Sequence, residues 1–330
     1  MPDDDGARQF WASGLLGQPD VPPSYQKLHQ EEHWRGISDK SPSWENAFEH
    51  SNDPLLDDLW KKVLALAPPH LANALSGTFI VKRQDWESQA STWASPHHFA
   101  GAIIDFHVGF SDATVQFATF FERVRDPSAT PFRVADDARR MAYVAELWRE
   151  TGEVYVGDYG YEGEDLTSHS VALSLLADVW CLAHEGAHRL LGHVDGIPRV
   201  VDDELEVLLG DLADAFSETG GQELEADALA TLLLRGQDPF DARSQSAFEA
   251  CLGAHLALNT LRLGDPQSDR GDDDHPPIDR RLALNLKFQE RLTGGDYASA
   301  VRADVERAAG IVEATIRAAT ALEADQDKQR

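Results

Sequence analysis

The sequence predicts an α+β fold, mainly α in its second half, with a small mixed sheet and one buried helix that carries a His-Glu-x-x-His motif. Three observations predict it. Ile104, Phe106, Val108 and Phe110 alternate with Ile103, Asp105, His107 and Gly109, which is the period of a strand. Val171 to Leu191 is apolar on nearly every side apart from the motif residues, as central helices are. From Glu204 onward the pattern is mostly that of successive helices.

The elements follow in order. Residues 1–52 mix Gly, Pro and Ser with Trp11, Trp34 and Trp44 and show little periodicity, so they read as an irregular arm that packs through its aromatics. A single domain is expected over 53–330, with its catalytic core at about 100–293. Leu55, Leu56, Leu59, Val63 and Leu66 have helical spacing, and Thr78 to Lys82 reads as a short strand. The alternating strand, 103–110, starts behind Gly101. Asp112–Arg125 and Ala135–Thr151 read as helices, and Glu153–Val156 as another short strand before a loop rich in Gly, Asp and Tyr. The motif helix ends at Gly192, a suitable residue just past a helix end. Helices are then expected at Glu204–Phe216, Gln222–Leu234 and Gln245–Leu263. An acidic loop, Asp265–Asp274, leads to His275-Pro276-Pro277, with Pro277 suited to the first turn of a helix running to about Leu292. The last helix spans 298–322, and the final eight residues are polar and expected to fray.

Composition sets limits on function. With 42% hydrophobic and 26% charged residues, the 330-residue chain has the make-up of an ordinary globular protein. Its longest apolar run, Val171–Ala183, is broken by Asp178 and is too short to span a bilayer. The acidic start, Met1-Pro2-Asp3-Asp4-Asp5, has no apolar core of a secretion signal, so a cytoplasmic location is expected. Cys181 and Cys251 fit a reducing compartment and read as small buried hydrophobes, too few for an all-cysteine zinc site. A net charge of −28 disfavours nucleic acid and anionic membranes as partners. It suits a basic substrate or, more simply, a soluble surface. Nothing in it speaks to oligomeric state.

The motif is His184-Glu185-Gly186-Ala187-His188. Two histidines at i and i+4 lie about 40° apart around a helix, so both imidazoles reach one ion. Glu185, beside them, is placed to take a proton from a water on that ion. A catalytic zinc needs a third protein ligand, and Gln222–Ala230 supplies candidates. Glu223, Asp227, Ala230 and Leu234 share one helical stripe, whereas Glu225 lies on another face. Two carboxylates on an apolar stripe are costly unless something binds them. Glu223 is therefore the expected third ligand, and Asp227 the acceptor for the free N–H of a ligand histidine. The alternative is a solvated charged face.

HExxH followed by Glu-x-x-x-Asp on a later helix is similar to the gluzincin metallopeptidases. The likeness is nearest to the HtpX and CAAX-prenyl-protease family over about residues 171–293. It rests on HEGAHRLLGH (184–193), QELEADALA (222–230) and HPPIDRRL (275–282), which occur in that family's order, with Arg281 at its arginine position. The resemblance implies a zincin-like core, Glu223 as third zinc ligand and Asp227 as the orienting carboxylate. This chain departs from the family in having no membrane span and in its acidic stretch at Asp195–Thr219. More distant likenesses are to the soluble Lit-type phage-exclusion proteases and to the ImmA/IrrE-type regulatory peptidases.

The expected function is a soluble zinc peptidase acting on a protein or peptide, with His184, His188 and Glu223 as ligands and Glu185 as general base. His275 and Arg281 are candidates to stabilise an oxyanion, or else His275-Pro276-Pro277 caps a helix and Arg281 makes a surface ion pair. His193 either lines the pocket or caps its own helix. Tyr155, Tyr159 and Tyr161 read as core or rim residues, and His97, His98 and His107 fall outside any ligand spacing. The resemblance to zincins implies that the 103–110 strand is the edge that pairs with an extended substrate. The alternatives are a non-haem Fe(II) oxygenase using the same two-histidine, one-carboxylate set, a regulator with a structural zinc, and a latent defence protease awaiting a trigger.

Overall fold

Of the four leucines and one valine at helical spacing in the first helix, α1 (Pro54–Leu66), Leu56, Leu59 and Val63 are buried together with Trp60, Leu66 is half-buried, and Leu55 is exposed against expectation. The computed structural model describes residues 6–8, 54–83, 90–94, 96–97, 99–152, 154, 160–161, 165–210, 220–236, 245–264, 275–293 and 296–329. Apart from 6–8, the expected N-terminal arm lies outside them. So do Tyr155, Tyr159, His98, the acidic loop 265–274 and, Val154 excepted, the expected strand 153–156; Val154 itself is not in a strand.

A second short helix, α2 (Pro69–Leu75), was not legible in the sequence; it opens on a proline and buries Leu71 and Leu75. Three strands follow: β1 (Thr78–Arg83), β2 (Ala90–Trp93) and β3 (Ala102–His107). The sheet order is β1-β3-β2, with β1 parallel and β2 antiparallel to β3. Two expectations fail here. The alternating segment stops being a strand at His107, because Val108, Gly109 and Phe110 form the first turn of helix α3 (Val108–Arg125). That strand is also the middle one, with both edges already hydrogen-bonded, so it cannot be the edge that pairs with a substrate. All six of its residues are buried, as befits a strand covered on both faces.

Helix α4 (Pro131–Thr151) is capped by Thr130, whose hydroxyl accepts the Arg133 N–H. Helix α5 (Ser168–Leu191) carries the motif. Thr167 and Ser170 exchange side-chain and backbone hydrogen bonds in a capping box, and the helix stops at Gly192, with φ of 74°. After it come α6 (Asp203–Gly210), α7 (Gly221–Leu234), α8 (Gln245–Gly264), α9 (Ile278–Thr293) and α10 (Asp296–Gln329). The last helix runs past its expected end at Leu322 to Gln329.

The fold is mainly helical with a small mixed sheet, as the sequence predicts. At its centre is α5, packed against α1, α2, α3, α7 and α8 and against strands β2 and β3. Its buried Leu173, Ala177, Trp180, Leu182, Ala183, Ala187 and Leu190 belong to one continuous core. The one acid in its apolar run, Asp178, accepts hydrogen bonds from Ser111 and Thr114 on α3. No described helix is long and apolar enough to cross a membrane.

Candidate metal centre and active site

Helix α5 places His184 and His188 on one face, and α7 brings Glu223 to them from the opposite side. His184 Nε2 lies 3.1 Å from His188 Nε2. Glu223 completes the triangle, with Oε2 3.2 Å from His184 Nε2 and Oε1 3.2 Å from His188 Nε2. Bonds of about 2.0–2.1 Å at tetrahedral angles separate neighbouring donor atoms by about 3.3 Å, close to each of these spacings, the two to Glu223 ending on different oxygens. Among the described residues it is the one cluster of three such side chains able to hold a metal ion. The donor set, two imidazoles and a carboxylate, fits zinc.

What surrounds His184 fixes its ring. Trp180, one turn earlier, stacks on it with centroids 5.5 Å apart and donates its own Nε1–H to Thr231. His184 Nδ1 lies 2.9 Å from Asp227 Oδ1, at ion-pair distance. Asp227 is one turn beyond Glu223 and is almost fully buried. Burial opposes a charge on His184, but Glu223 and Asp227 outweigh it and hold the ring's pKa up at about 10. Two buried carboxylates thus demand positive charge at Nε2, where a proton and a metal ion compete for the same lone pair. Burial likewise works against ionising Glu223 and Asp227, yet Arg281 and His184 hold both below the usual carboxylate range.

Arg281, on α9, is buried between these two carboxylates. Its Nε and Nη2 donate to Asp227, and Nη1 lies 3.2 Å from Glu223 Oε2. The contacts are those of an ion pair, but a buried one and not the surface pair that the sequence left open for it. His275 is exposed at the foot of α9. Its neighbour Pro276 seats against Gly220, the residue that opens α7, where φ is 71° and a Cβ would lie 2.7 Å from Pro276 Cδ. Only a bare backbone fits that contact, and it holds the start of α9 against the turn that bears Glu223.

Glu185 is buried, and its carboxylate is engaged by a residue that the sequence did not suggest. The Thr92 hydroxyl, on β2, lies 2.9 Å from Glu185 Oε2 and 2.8 Å from the Glu185 carbonyl oxygen. Strand β2 has no alternating pattern, so nothing pointed to it. Glu225, set aside as lying on another face, indeed points away from the triangle and meets His193 and Arg199. The i, i+4 spacing of Trp180 and His184 was the one readable signal among the missed contacts.

The remaining candidates lie elsewhere. Tyr161 is buried in the core and donates its hydroxyl to the Asp137 carbonyl. His107 is buried at the end of β3, 3.7 Å from Asp105, and His97 is exposed. Burial, helped for Cys181 by the nearby Glu185, pushes both thiols up, that of Cys251 to about 12, which makes both cysteines unreactive.

A family model described as Peptidase U49 matches residues 159–300, just under half of the chain. The matched stretch contains every residue of the triangle together with Glu185, Asp227, His275 and Arg281. No curated protein and no solved structure matches. The match supports a peptidase, and the structure brings together a cluster able to bind a metal.

Proposed function

We propose that this chain is a zinc-dependent peptidase of gluzincin type, in which His184, His188 and Glu223 hold the ion and Glu185 is the general base. The observation that carries the reading is the convergence of His184 and His188, whose Nε2 atoms are 3.1 Å apart, on the Glu223 carboxylate, one oxygen 3.2 Å from each, directly beside a buried glutamate on the motif helix. Bound there, a divalent ion supplies Lewis acidity, polarising a carbonyl oxygen and making a water acidic near neutral pH. Glu185 takes the proton of the attacking water and passes it to the leaving amine. Thr92 holds the carboxylate in place for both transfers. Asp227 orients His184, and Arg281 keeps Asp227 and Glu223 ionised where burial would otherwise neutralise them. His275, next to the seated Pro276, is the candidate for stabilising the oxyanion.

Strand β2 replaces the strand first expected as the substrate edge. It ends the described sheet on the side of the motif helix, and its Thr92 reaches the base. An extended peptide pairing along β2 passes the reacting carbonyl beside Glu185. The substrate in this reading is a protein or peptide, met in the cytoplasm.

The test is metal analysis and turnover on the purified chain. Wild type carries one zinc, and Glu223→Ala loses it. Glu185→Gln keeps the metal and loses hydrolysis; unchanged turnover in that variant rules the mechanism out. Iron in anaerobically purified protein, with oxygen uptake, points to the oxygenase alternative. Profiling new protein N-termini generated by wild type against Glu185→Gln identifies the substrate.

A further inference from the structure

The ligand histidine His188 turns its second nitrogen away from the triangle, toward His193. The two Nδ1 atoms are 3.1 Å apart, and His193 Nε2 is 3.0 Å from Glu225 Oε2. Glu225 is gripped in turn by Arg199, whose Nη2 lies 2.6 Å from Oε1 and Nη1 3.3 Å from Oε2. Arg199 also binds Glu206 through two nitrogens and the Leu191 carbonyl through Nη1. The segment beyond α5 folds back to make this possible: the His193 N–H donates to the His188 carbonyl, and the Val200 N–H to that of Leu190. With side-chain exposures of 8% for His193 and 15% for Glu225, water has little access to compete for these bonds.

Resting on the metal-site reading above, we infer that His193 is a positioning residue: it accepts the Nδ1–H of His188, donates its own Nε2–H to Glu225, and thereby fixes the nitrogen that His188 offers to the ion. Hydrogen-bond direction leaves one arrangement. A ligand nitrogen uses its lone pair, so with Nε2 in the triangle the His188 proton sits on Nδ1. That proton needs an acceptor, which makes His193 Nδ1 the acceptor and puts the His193 proton on Nε2. Nε2 then faces Glu225, a carboxylate that only accepts. Arg199 stops that carboxylate from swinging away and keeps it ionised. Each ligand histidine thus has a carboxylate behind it, Asp227 directly for His184 and Glu225 through an imidazole for His188. Outer partners of this kind set ligand orientation and basicity.

The experiment measures zinc affinity by chelator competition on the full chain, with the visible spectrum of the cobalt-loaded protein as a readout of ligand geometry. His193→Phe keeps the bulk and removes both hydrogen bonds; zinc affinity is expected to fall about 10- to 100-fold with an altered cobalt spectrum. Glu225→Ala, which leaves His193 in place, moves both readouts the same way. His193→Gln, which keeps a donor and an acceptor, stays closer to wild type. A His193 with only a structural role shifts the urea midpoint while the folded chain keeps its zinc affinity and spectrum. Affinity within twofold of wild type in both His193→Phe and Glu225→Ala overturns the inference, and where His193→Phe does not fold, Glu225→Ala alone decides it. Wild type that binds no divalent ion sinks the metal-site reading itself, a different result.

Discussion

Arg281 grips Asp227 with two parallel hydrogen bonds, Nε to Oδ2 at 2.8 Å and Nη2 to Oδ1 at 2.7 Å, and both side chains are almost fully buried. Its remaining nitrogen faces Glu223. Removing the cation strands two desolvated carboxylates, so Arg281→Leu is expected to cost about 3–5 kcal/mol of stability. Arg281→Lys keeps the charge but not the two-pronged geometry and should fall between. In the proposed zinc site the ion satisfies Glu223 directly and Asp227 only through His184, so saturating zinc should recover part of the loss. Urea unfolding with and without zinc measures it. An equal deficit in both conditions refutes the idea that ion and arginine share those charges.

The contact between Gly220 and Pro276 makes a second prediction. Gly220→Ala places a Cβ 2.7 Å from Pro276 Cδ at a φ of 71°. The left-handed conformation costs an alanine about 1–2 kcal/mol and the overlap about 1–3 kcal/mol more. Adding Pro276→Ala should recover part of the overlap and none of the conformational cost, because the backbone nitrogen of residue 276 also lies close, at 3.0 Å. A denaturant-based double-mutant cycle showing full additivity means that the two residues do not meet as described.

The helices were readable because each closes its own hydrogen bonds and shows its buried face at fixed spacing. Leu56, Leu59 and Val63 identified α1 for that reason, and Gly192 marked the end of α5. The triangle was readable in the same way: His184 and His188 share a helix, and Glu223 and Asp227 share another, so each pair is a local pattern. What escaped was set by contacts between elements. Thr92 reaches Glu185 across 93 positions, and Glu225 reaches His193 across 32. The role of Arg281 depended on how α9 crosses α7, which its own neighbours in sequence do not encode. Likewise the zincin resemblance makes β3 an edge strand, and β2, which covers its second side, has too short and irregular a pattern to correct it.

Thr92 provides a third test. Its hydroxyl has one proton and two acceptors on Glu185, and a hydrogen bond to an ionised group is worth about 1.5–3 kcal/mol. Thr92→Val preserves shape and removes the donor. If half of that energy serves to hold Glu185, the proposed base, in its reacting position, kcat falls by about tenfold or less. Zinc content should not change, since Thr92 touches no ligand in the triangle, and Thr92→Ser should restore turnover. A Thr92→Val enzyme with normal kcat shows that the strand contact serves folding alone.

Two buried groups far from solvent make opposing demands on pH. Burial, with Arg302 nearby, pushes His255 down to about 4 from its ordinary 6.5, and neither ring nitrogen has a hydrogen-bond partner among the described residues. Burial pushes Asp178 up to about 7 from 3.8, although Ser111 and Thr114 donate to it. Between pH 4 and 6.5 the unfolded imidazole takes up a proton that His255 refuses, so acid destabilises the fold through this residue. Between 3.8 and 7 the folded Asp178 keeps a proton that the unfolded carboxyl gives up, so the same acid stabilises the fold through this one. Each slope is about 1.4 kcal/mol per pH unit at most, and where the two ranges overlap they cancel. Removing either group should expose the other. Relative to wild type, His255→Leu gains stability as pH falls from about 6.5, and Asp178→Asn gains as pH rises toward about 7. Urea unfolding free energies of the three proteins across this range check it, and parallel curves would falsify the assignment of these slopes to His255 and Asp178.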